Sequence, residues 1–385
     1  MIKQEYKTVI IGGGIVGAGI LRDLADANIE TLLVEKKKFG SQTSSKTSKM
    51  LHGGIRYLEN FDFKLVWEAL HEKNYWLKKA PHLCTEKAFY LPIYKESKWP
   101  LWMLRIGLFL YDLLSWFQNS PHRILNMDQA LRELPGIKKD GLKGCGVYYD
   151  AIVDDFKLNN EVIAKARENE NIDAFENIEM TSFELINSEK GTEKVKVHLI
   201  DTEEKKEYSV ICRDLVIATG PFTDKVLANQ SIFKWDPVLL PNKGSHLWLK
   251  KEALKLNHPM VLNTVDGRVI FVIPHPEKIL IGTTEQKIEG DYFDLEPSEK
   301  EIQYLLANLN QYFPEANVNE THIISGFAGI RPLVKAGRGG DLSKTAREHK
   351  VFNPRPNIHV IVGGKYTTFR VMGKSISKTI IGRWR

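Results

Sequence analysis

Residues 7–37, KTVIIGGGIVGAGILRDLADANIETLLVEKK, contain the pattern that decides the fold. Apolar residues from Thr8 to Ile11 predict a strand, and a glycine turn then leads into a helix from Ile15 to Ala27. A second apolar strand follows from Thr31 to Val34. This succession predicts a β–α–β unit, in which the two strands lie parallel in one sheet and the helix packs on its face.

The glycine turn has the spacing of a dinucleotide-binding site. Gly12, Gly14 and Gly17 form GxGxxG, which gives a tight turn, close backbone approach to a pyrophosphate and close packing of helix on strand. The N-terminus of the helix then faces the anion. Glu35 ends the second strand, where a carboxylate can accept the ribose hydroxyls of an adenine nucleotide. The unit therefore predicts a bound dinucleotide.

The residues after Glu35 favour FAD over NAD. An NAD domain usually continues with regular strands and helices, whereas residues 39–59 read FGSQTSSKTSKMLHGGIRYLE, with hydroxyls suited to phosphate and ribityl oxygens. Nucleotide-domain features return in RDLVIATGPFTD (213–224) and in NIHVIVGGKYTTFRVMGKSISKTII (357–381), where a strand from Ile358 to Val362 precedes a helix near Thr367. The N-terminus of that helix would stabilise the negative edge of a reduced flavin. The residues predicted to bind the cofactor are Gly12, Gly14, Gly17, Glu35, Thr43, Ser44, Ser45, Ser48, Gly53, Gly54, Thr219, Gly220, Gly364, Lys365, Thr367 and Thr368.

Several further segments resemble those of the aerobic, FAD-dependent glycerol-3-phosphate dehydrogenases. In chain order, from about residue 8 to 373, they are IIGGGIVGAGI, TSSKTSKMLHGGIRYLE, APHL, WMLRIGLFLYD, YYDAIVDDFKL, VIATGPFTD, KGSH, VIPHPEKILIGTTE, GIRPL and GGKYTTFR. The resemblance implies an α/β fold with a Rossmann-like FAD-binding domain of the glutathione-reductase type. It also implies a mixed-sheet substrate domain like that of amino-acid oxidases. Family members usually carry a helical C-terminal domain after the GGKxTTxR helix, whereas this sequence stops at IIGRWR.

The same resemblance implies an activity and partners. These are oxidation of sn-glycerol 3-phosphate to dihydroxyacetone phosphate by hydride transfer to FAD, with electrons passed to a membrane quinone. The resemblance further implies a cytoplasmic protein attached peripherally to the inner face of the cytoplasmic membrane. It is also compatible with a homodimer. The residues leave open an oxygen-using oxidase, an FAD oxidoreductase acting on a 2-hydroxy or amino acid, and a non-catalytic flavin-binding protein.

The substrate site needs an anchor for an anion and an acceptor for the hydroxyl proton. Arg56 in GGIRYLE and Arg331 in GIRPL are predicted to hold the phosphate, since guanidinium forks match a dianion. His246 in KGSH is the favoured base, because an imidazole titrates near working pH. The remaining candidates are His52 and Lys365 as competing catalytic residues, and Tyr57, Lys365, Thr368 and Arg370 as residues that line or brace the pocket.

We expect a discontinuous domain organisation. The FAD-binding domain is predicted to comprise residues 1–73, 146–232 and 333–385, and the substrate domain residues 74–145 and 233–332. Within the first domain, KVKVHLIDTEEKKEYSVI alternates in the manner of a hairpin whose turn is its charged middle.

Composition narrows the partners and the compartment. Lys and Arg number 54 against 48 Asp and Glu, a mild excess that fits anionic small molecules or an acidic membrane better than nucleic acid. Cys84, Cys145 and Cys212 are far apart and form no CxxC pair, which indicates a reducing compartment without a disulfide framework. HEKNYW at residue 71 departs from HExxH, so we expect no metal.

Residues 99–117, WPLWMLRIGLFLYDLLSWF, form the most apolar stretch. Two internal charges, Arg105 and Asp112, and a length of about 19 residues disfavour a membrane-spanning helix. We expect a helix packed within the substrate domain in preference to one lying at a membrane surface. One helical stripe contains Trp99, Trp102, Met103, Ile106, Leu110, Leu113, Leu114 and Phe117.

Overall fold

The computed structural model describes residues 1–187, 193–228, 230, 232–290, 292–335 and 349–384. Its helices are α1 (Ile15–Asp26), α2 (Phe63–Lys79), α3 (Leu101–Leu114), α4 (Met127–Glu133), α5 (Asp155–Ala166), α6 (Thr223–Ala228), α7 (Glu299–Tyr312) and α8 (Phe369–Trp384). Its strands are β1 (Glu5–Ile11), β2 (Thr31–Val34), β3 (Met50–Leu51), β4 (Cys84–Tyr94), β5 (Arg123–Asn126), β6 (Leu142–Val153), β7 (Ile172–Phe175), β8 (Ile178–Asn187), β9 (Glu193–Asp201), β10 (Glu207–Ile217), β11 (Leu239–Lys250), β12 (Met260–Asn263), β13 (Val269–Pro274), β14 (Lys278–Gly282), β15 (Gln286–Lys287), β16 (Ile323–Val334), β17 (His349–Arg355) and β18 (Ile358–Gly363).

The first sheet contains the β–α–β unit at its centre. Its main path runs β7-β2-β1-β10-β18-β17, and every neighbouring pair from β7 to β18 is parallel. β1 therefore lies between β2 and β10, so that the chain leaves the carboxyl end of β1 at a point where the strand order reverses. Open parallel sheets bind their ligands at such a point.

Helices α1, α5 and α8 share one hydrophobic core on this sheet. Ile20 and Leu24 of α1, Leu158 of α5, and Phe369 and Ile376 of α8 are all buried in it. The predicted strands and helix of residues 8–34 are confirmed. Their observed ends differ from the predicted ones by at most a few residues. The predicted hairpin is confirmed as β9 and β10, which pair antiparallel.

The second sheet is mixed and contains ten strands over the described residues. Its main path runs β15-β11-β14-β13-β12-β4-β6-β3, with β16 paired to β11 and β5 paired to β6. β12 and β4 are parallel, whereas the other pairs in the sheet are antiparallel. Most of β6 falls within the range 146–232 that we assigned to the FAD-binding domain, although β6 pairs in this second sheet. The domain ranges themselves stay a prediction.

Helix α3 packs with one of its two apolar sides. Leu108 and Tyr111 are fully buried, and Leu104 and Leu108 lie over Gly146 of β6, where an added Cβ would come within 3.0 Å of Leu108. Both sides of this helix are apolar, and the side over Gly146 packs, whereas the stripe seen in the sequence lies largely on the other side. Five of the stripe residues are instead exposed: Trp99, Trp102, Ile106, Leu113 and Phe117.

Candidate active site

A cavity of about 960 Å³ is lined by residues from both sheets. One end is formed by the carboxyl ends of β1, β2, β10 and β18, and the other by β11 and β16. Its volume is at the upper end of small-molecule pockets, which is the size that a dinucleotide with a substrate beside it requires. The two predicted sites, for cofactor and for substrate, thus share one space.

Strand register brings three chain segments together at the dinucleotide end. Ile11 is aligned with Val34 of β2 and with Ile217 of β10, so the residues that follow each strand lie at one edge. Gly12 has a φ of +111°, and a Cβ there would lie 2.6 Å from the carbonyl oxygen of Ala218. A Cβ on Gly17 would collide with the carbonyl oxygen of Gly12. Both positions therefore require glycine for the reasons predicted from the spacing.

Glu35 lies at the same edge and lines the cavity. Its carboxylate accepts hydrogen bonds from the backbone N–H of Gly13 at 2.8 Å and of Lys37 at 3.0 Å. Burial raises the pKa of Glu35, while these two backbone donors lower it. The carboxylate is thereby fixed beside the glycine turn, and its contact with a ribose stays a prediction.

The hydroxyl-rich segment 43–49 is held by contacts with three other elements, α1, β16 and α5. Ser44 Oγ accepts from the backbone N–H of Ile15 at the start of α1, and Thr43 Oγ1 donates to the carbonyl oxygen of Ile330 in β16. Lys49 Nζ forms a 2.6 Å ion pair with buried Asp155 at the start of α5. The segment therefore crosses from the dinucleotide end of the cavity towards the substrate end in a fixed conformation.

At the substrate end, Arg331 lies close to His246. Arg331 is on β16 and donates to Asn242 Oδ1 and Thr283 Oγ1 at 2.8 and 2.9 Å. Its guanidinium lies against Gly244, where an added Cβ would be 2.7 Å from Nη2. Because side chains alternate along β11, Gly244 and His246 point to the same side of that strand. The absence of a side chain at residue 244 leaves room for the guanidinium beside the imidazole.

His246 is buried, and its Nε2 lies 2.9 Å from Ser48 Oγ. Its ring is stacked on Phe327, and Nδ1 has no hydrogen-bond partner among the described residues. Burial lowers the pKa of His246 to about 3, with the charges of Arg331 and Lys49 acting in the same direction. The imidazole is therefore neutral across the working pH range of most enzymes.

Another part of the cavity wall comes from residues 52–57 and from the turn after β18. His52, Arg56 and Tyr57 line the cavity together with Lys365. Lys365 Nζ lies 3.6 Å from the centre of the Tyr57 ring, and the backbone N–H of His52 donates to Thr367 Oγ1. Three of the motifs singled out in the sequence, HGGIRY, KGSH and GIRPL, thus contribute to one cavity, together with GGKYTTFR.

This constellation fits a flavin dinucleotide, because the glycine turn leaves no Cβ where a pyrophosphate must approach and hydroxyls follow along the wall. The family model described as DAO, FAD dependent oxidoreductase, matches residues 7–377. The chain belongs to this FAD-dependent oxidoreductase family. Its cofactor is FAD, and the predicted α/β fold class is confirmed.

Curated relatives of this FAD-dependent oxidoreductase include two aerobic glycerol-3-phosphate dehydrogenases. That of Bacillus subtilis (strain 168) is 33% identical over 377 residues, which cover 98% of this chain and 67% of the relative. That of Staphylococcus aureus (strain MRSA252) is 33% identical over 375 residues, covering 97% and 66%. The resemblance inferred from the motifs is confirmed, and the chain spans about two thirds of the length of these relatives.

Two solved structures are similar over almost the whole chain. One is the glycerol-3-phosphate dehydrogenase from Bacillus halodurans, complexed with FAD, which has a TM-score of 0.78 at 27% identity. The match covers 99% of this chain and 65% of that one. The L-α-glycerophosphate oxidase from Mycoplasma pneumoniae, with FAD bound, has a TM-score of 0.75 at 16% identity, covering 100% of this chain and 96% of that one. At 16% identity, the similarity to the oxidase shows a shared fold only.

Most cofactor candidates of the oxidoreductase line the cavity, and so do the substrate candidates His52, Arg56, Tyr57, His246 and Arg331. Their individual roles stay predictions. The cofactor candidates that line it are Gly12, Gly14, Glu35, Thr43, Ser44, Ser48, Gly54, Thr219, Gly220, Gly364, Lys365 and Thr367.

Five candidates lie outside the lining. Arg370, predicted to line or brace the pocket, does not line it: it faces α2, pairs with Glu72 at 3.4 Å and stacks over Tyr75, so a bracing role is the part of that prediction that remains. Thr368 is buried and Ser45 donates to the carbonyl oxygen of Gln42, and their roles at the cofactor stay predictions. Gly17 and Gly53 act through packing, since a Cβ at either would collide with neighbouring atoms.

The sequence reasoning did not single out many of the lining residues, among them Lys46, Tyr148, Asp150 and Arg268. Lys46 stood within the quoted hydroxyl-rich segment, where its position beside the candidate serines could have identified it. Arg268 follows a turn with no motif around it. Tyr148 and Asp150 lie in YYDAIVDDFKL, where the alternation of an ordinary strand gives no sign of a role.

Asp150 supports the wall of the cavity from behind. Its Oδ1 accepts from the backbone N–H of Gly53 at 3.0 Å and from the Tyr111 hydroxyl at 2.7 Å. Lys73 of α2 lies 3.6 Å from the same oxygen and donates to Asn119 Oδ1 and to the Tyr149 carbonyl oxygen. Burial lowers the pKa of Lys73 and raises that of Asp150. This buried pair fixes the segment that presents His52, Arg56 and Tyr57.

The depressed pKa of His246 makes a prediction about stability. An unfolded imidazole titrates near its ordinary pKa of 6.5, whereas the folded one titrates at about 3. Between these values the unfolded chain binds a proton that the folded chain does not, so stability falls as pH drops, by up to about 1.4 kcal/mol per pH unit. His246→Gln lacks this term, and its melting temperature should fall less steeply than that of the wild type from about pH 6.5 to about pH 4.5. Parallel curves would show that His246 is not buried in neutral form.

Proposed function

We propose that this oxidoreductase oxidises sn-glycerol 3-phosphate to dihydroxyacetone phosphate. The observation that carries the proposal is the position of Arg331 beside neutral His246, in a cavity continuous with the glycine turn. A cation next to a proton acceptor matches a substrate whose anionic group is near its reacting hydroxyl. The names of the curated relatives support the same substrate.

Two arginines would bind the phosphate. Arg331 is held in place by Asn242, Thr283 and the carbonyl oxygen of Thr284, so its fork needs little ordering when an anion arrives. Arg56 is exposed and lines the same cavity, so we assign it to the same group. A phosphate dianion uses both forks better than a carboxylate does, which favours this substrate over a 2-hydroxy or amino acid.

His246 is the group we assign to the substrate's hydroxyl proton. In the structure its pKa is depressed by burial and by Arg331, which makes it available but weakly basic. A phosphate bound to Arg331 would offset that positive charge and raise the pKa of the imidazole towards the range of an effective base. Binding of the anion and acceptance of the proton are thereby coupled. His52, which lines the same cavity, is the competing candidate.

When bound, FAD supplies the hydride acceptor and passes the electrons to a second acceptor. We propose that this acceptor is a membrane quinone. The protein would then work attached peripherally to the inner face of the cytoplasmic membrane, with a homodimer as a possible assembly. In the part of the chain that the structure describes, no helix has both the length and the apolar character needed to cross a membrane.

The test is turnover by the purified holoenzyme with three acceptors: an artificial redox dye, a short-chain quinone and oxygen. sn-Glycerol 3-phosphate should support turnover with the dye and the quinone, and glycerol, lactate and alanine should support very little. Hydrogen peroxide formed as fast as substrate is consumed would assign an oxidase. Turnover of lactate or alanine in preference to the phosphate ester would contradict the substrate.

A further inference from the structure

The surface formed by α2 and α3 is unusually apolar. Ten of the fourteen large apolar side chains that are exposed among the described residues lie between residues 61 and 117. Single exposed apolar residues are ordinary, but a contiguous patch marks a surface that contacts something apolar. The patch is the side of α3 that faces away from β6, extended by two tryptophans. We name it the aromatic face, and it comprises Trp67, Trp102, Ile106, Phe109, Leu113 and Trp116.

Helical phase explains why the face is continuous. Trp102, Ile106, Phe109 and Leu113 recur at spacings of four, three and four, which places them along one side of α3. The Trp67 ring of α2 meets the Trp116 ring at 6.4 Å between centres and joins the two helices. A side of a helix that remained in water would be polar, so this side indicates a partner.

Charge and shape select the partner. Between residues 98 and 118 the exposed charged side chains are Lys98, which pairs with Glu59 at 2.9 Å, and Arg105, and the one acid, Asp112, is buried against His122. Tryptophan and basic residues together are typical of the interface between lipid and water, where an anionic headgroup meets the charge and the ring enters the apolar layer. A helix of 14 residues is only about 21 Å long, which is too short to span a bilayer but sufficient to lie in its surface.

Helices α2 and α3, which carry the aromatic face, both contact the segment Ile55–Asn60 that contributes to the cavity wall. Residues Ile55–Asn60 carry Arg56 and Tyr57 to the cavity wall, and α2 begins only a few residues later, with exposed Phe61 and Phe63 between the wall and the aromatic face. A surface inserted here would bring the cavity to the level of the lipid headgroups. An acceptor dissolved in the bilayer would then reach the flavin without leaving the membrane.

We propose that the aromatic face is the surface by which this protein inserts into the interfacial layer of an anionic membrane. The proposal rests on the membrane-linked function proposed above for its choice of partner. Its anchors are the tryptophan and phenylalanine side chains of the face, and Arg105 provides the contact with anionic headgroups.

The test is sedimentation of the holoenzyme with vesicles of phosphatidylglycerol and phosphatidylcholine in equal parts, and with vesicles of phosphatidylcholine alone. Trp102→Ser combined with Phe109→Ser should lower partitioning into the mixed vesicles at least about tenfold, since two aromatic side chains lose their transfer into lipid. Arg105→Glu should weaken binding to the mixed vesicles but have little effect with phosphatidylcholine alone. Phe156→Ser, an exposed aromatic on α5, is the matched control and should bind as the wild type does.

The same variants separate this inference from the proposed function. Turnover of sn-glycerol 3-phosphate with a water-soluble dye should be unchanged in all of them, because none lines the cavity. Vesicle binding without such turnover would refute the function and leave the membrane surface standing. Turnover with no vesicle binding, or equal binding by wild type and double variant, would overturn the proposal. So would a dimer in sedimentation velocity that the double variant dissociates, because the face would then bind a second copy.

Discussion

Arg331→Ala and Arg56→Ala are each expected to lower kcat/KM for sn-glycerol 3-phosphate by about 30- to 1000-fold while FAD stays bound. Loss of a charge-assisted contact to a buried anion costs on the order of 2 to 4 kcal/mol, which gives this range. Arg331 should show the greater loss, because its fork is held by Asn242 and Thr283, whereas Arg56 is exposed. Steady-state kinetics with an artificial acceptor measure both effects.

A comparison of substrates distinguishes an anion anchor from an arginine that only supports the fold. Glycerol lacks the phosphate, so its weak turnover should change little in either variant. Arg331→Lys keeps the charge but loses the fork and should recover only part of the activity. Arg167→Ala, an exposed arginine at the end of α5, is the control and should be neutral. Equal losses with glycerol and with its phosphate ester would contradict the anchoring role.

Lys73→Met should destabilise the fold by about 3 to 5 kcal/mol, because it leaves the buried carboxyl of Asp150 without its cation. The Lys73 side chain is fully buried and lies 3.6 Å from Asp150, where solvent cannot replace it. Chemical denaturation of the holoenzyme, followed by flavin and tryptophan fluorescence, measures the loss. Lys79→Met, an exposed position on the same helix, is the matched control and should change stability by less than about 0.5 kcal/mol.

The pair also has a functional consequence. Asp150 holds the backbone N–H of Gly53, so a displaced carboxyl should loosen the wall that presents Arg56 and Tyr57. We therefore expect surviving Lys73→Met protein to show a raised KM for sn-glycerol 3-phosphate. Combining Lys73→Met with Asp150→Leu should recover part of the lost stability, since no buried charge is left unpaired. If the loss of unfolding free energy in the double variant equalled the sum of the losses in the two single variants, the two residues would act independently.

The sequence predicted those features whose signals are local. The strand, glycine turn, helix and second strand of residues 8–34 each have their own periodicity or spacing, and the sequence order alone places Glu35 beside the turn. The FAD site was predictable for the same reason. Arg331 and His246 were predicted through motifs, and strand pairing brings their motifs together, a long-range contact that no local pattern contains.

The sequence was uninformative where tertiary packing decides between equivalent local patterns. Arg370 follows a glycine-rich turn in a motif that otherwise lines the cavity, but the rotation of α8 directs it to Glu72. Helix α3 is apolar on both sides, so the pattern could not show which side meets β6. Lys73 and Asp150 are far apart in the chain, and an isolated lysine on an amphipathic helix is normally exposed. These outcomes depend on contacts between elements that propensity does not encode.

The placement of β18 and α8 has a consequence for how the protein is made on the ribosome. β18 pairs with β10 beside the first strand of the chain, and α8 packs on α1, although a long stretch of chain separates the members of each pair in order of synthesis. Until the ribosome has released residues 358–384, the β10 edge has no parallel neighbour on that side and Gly364–Thr367 cannot join the cavity. Nascent chains therefore lack a complete FAD site, and residues 215–217 at the carboxyl end of β10 stay unpaired on that side until β18 has emerged, because β9 covers only residues 207–212.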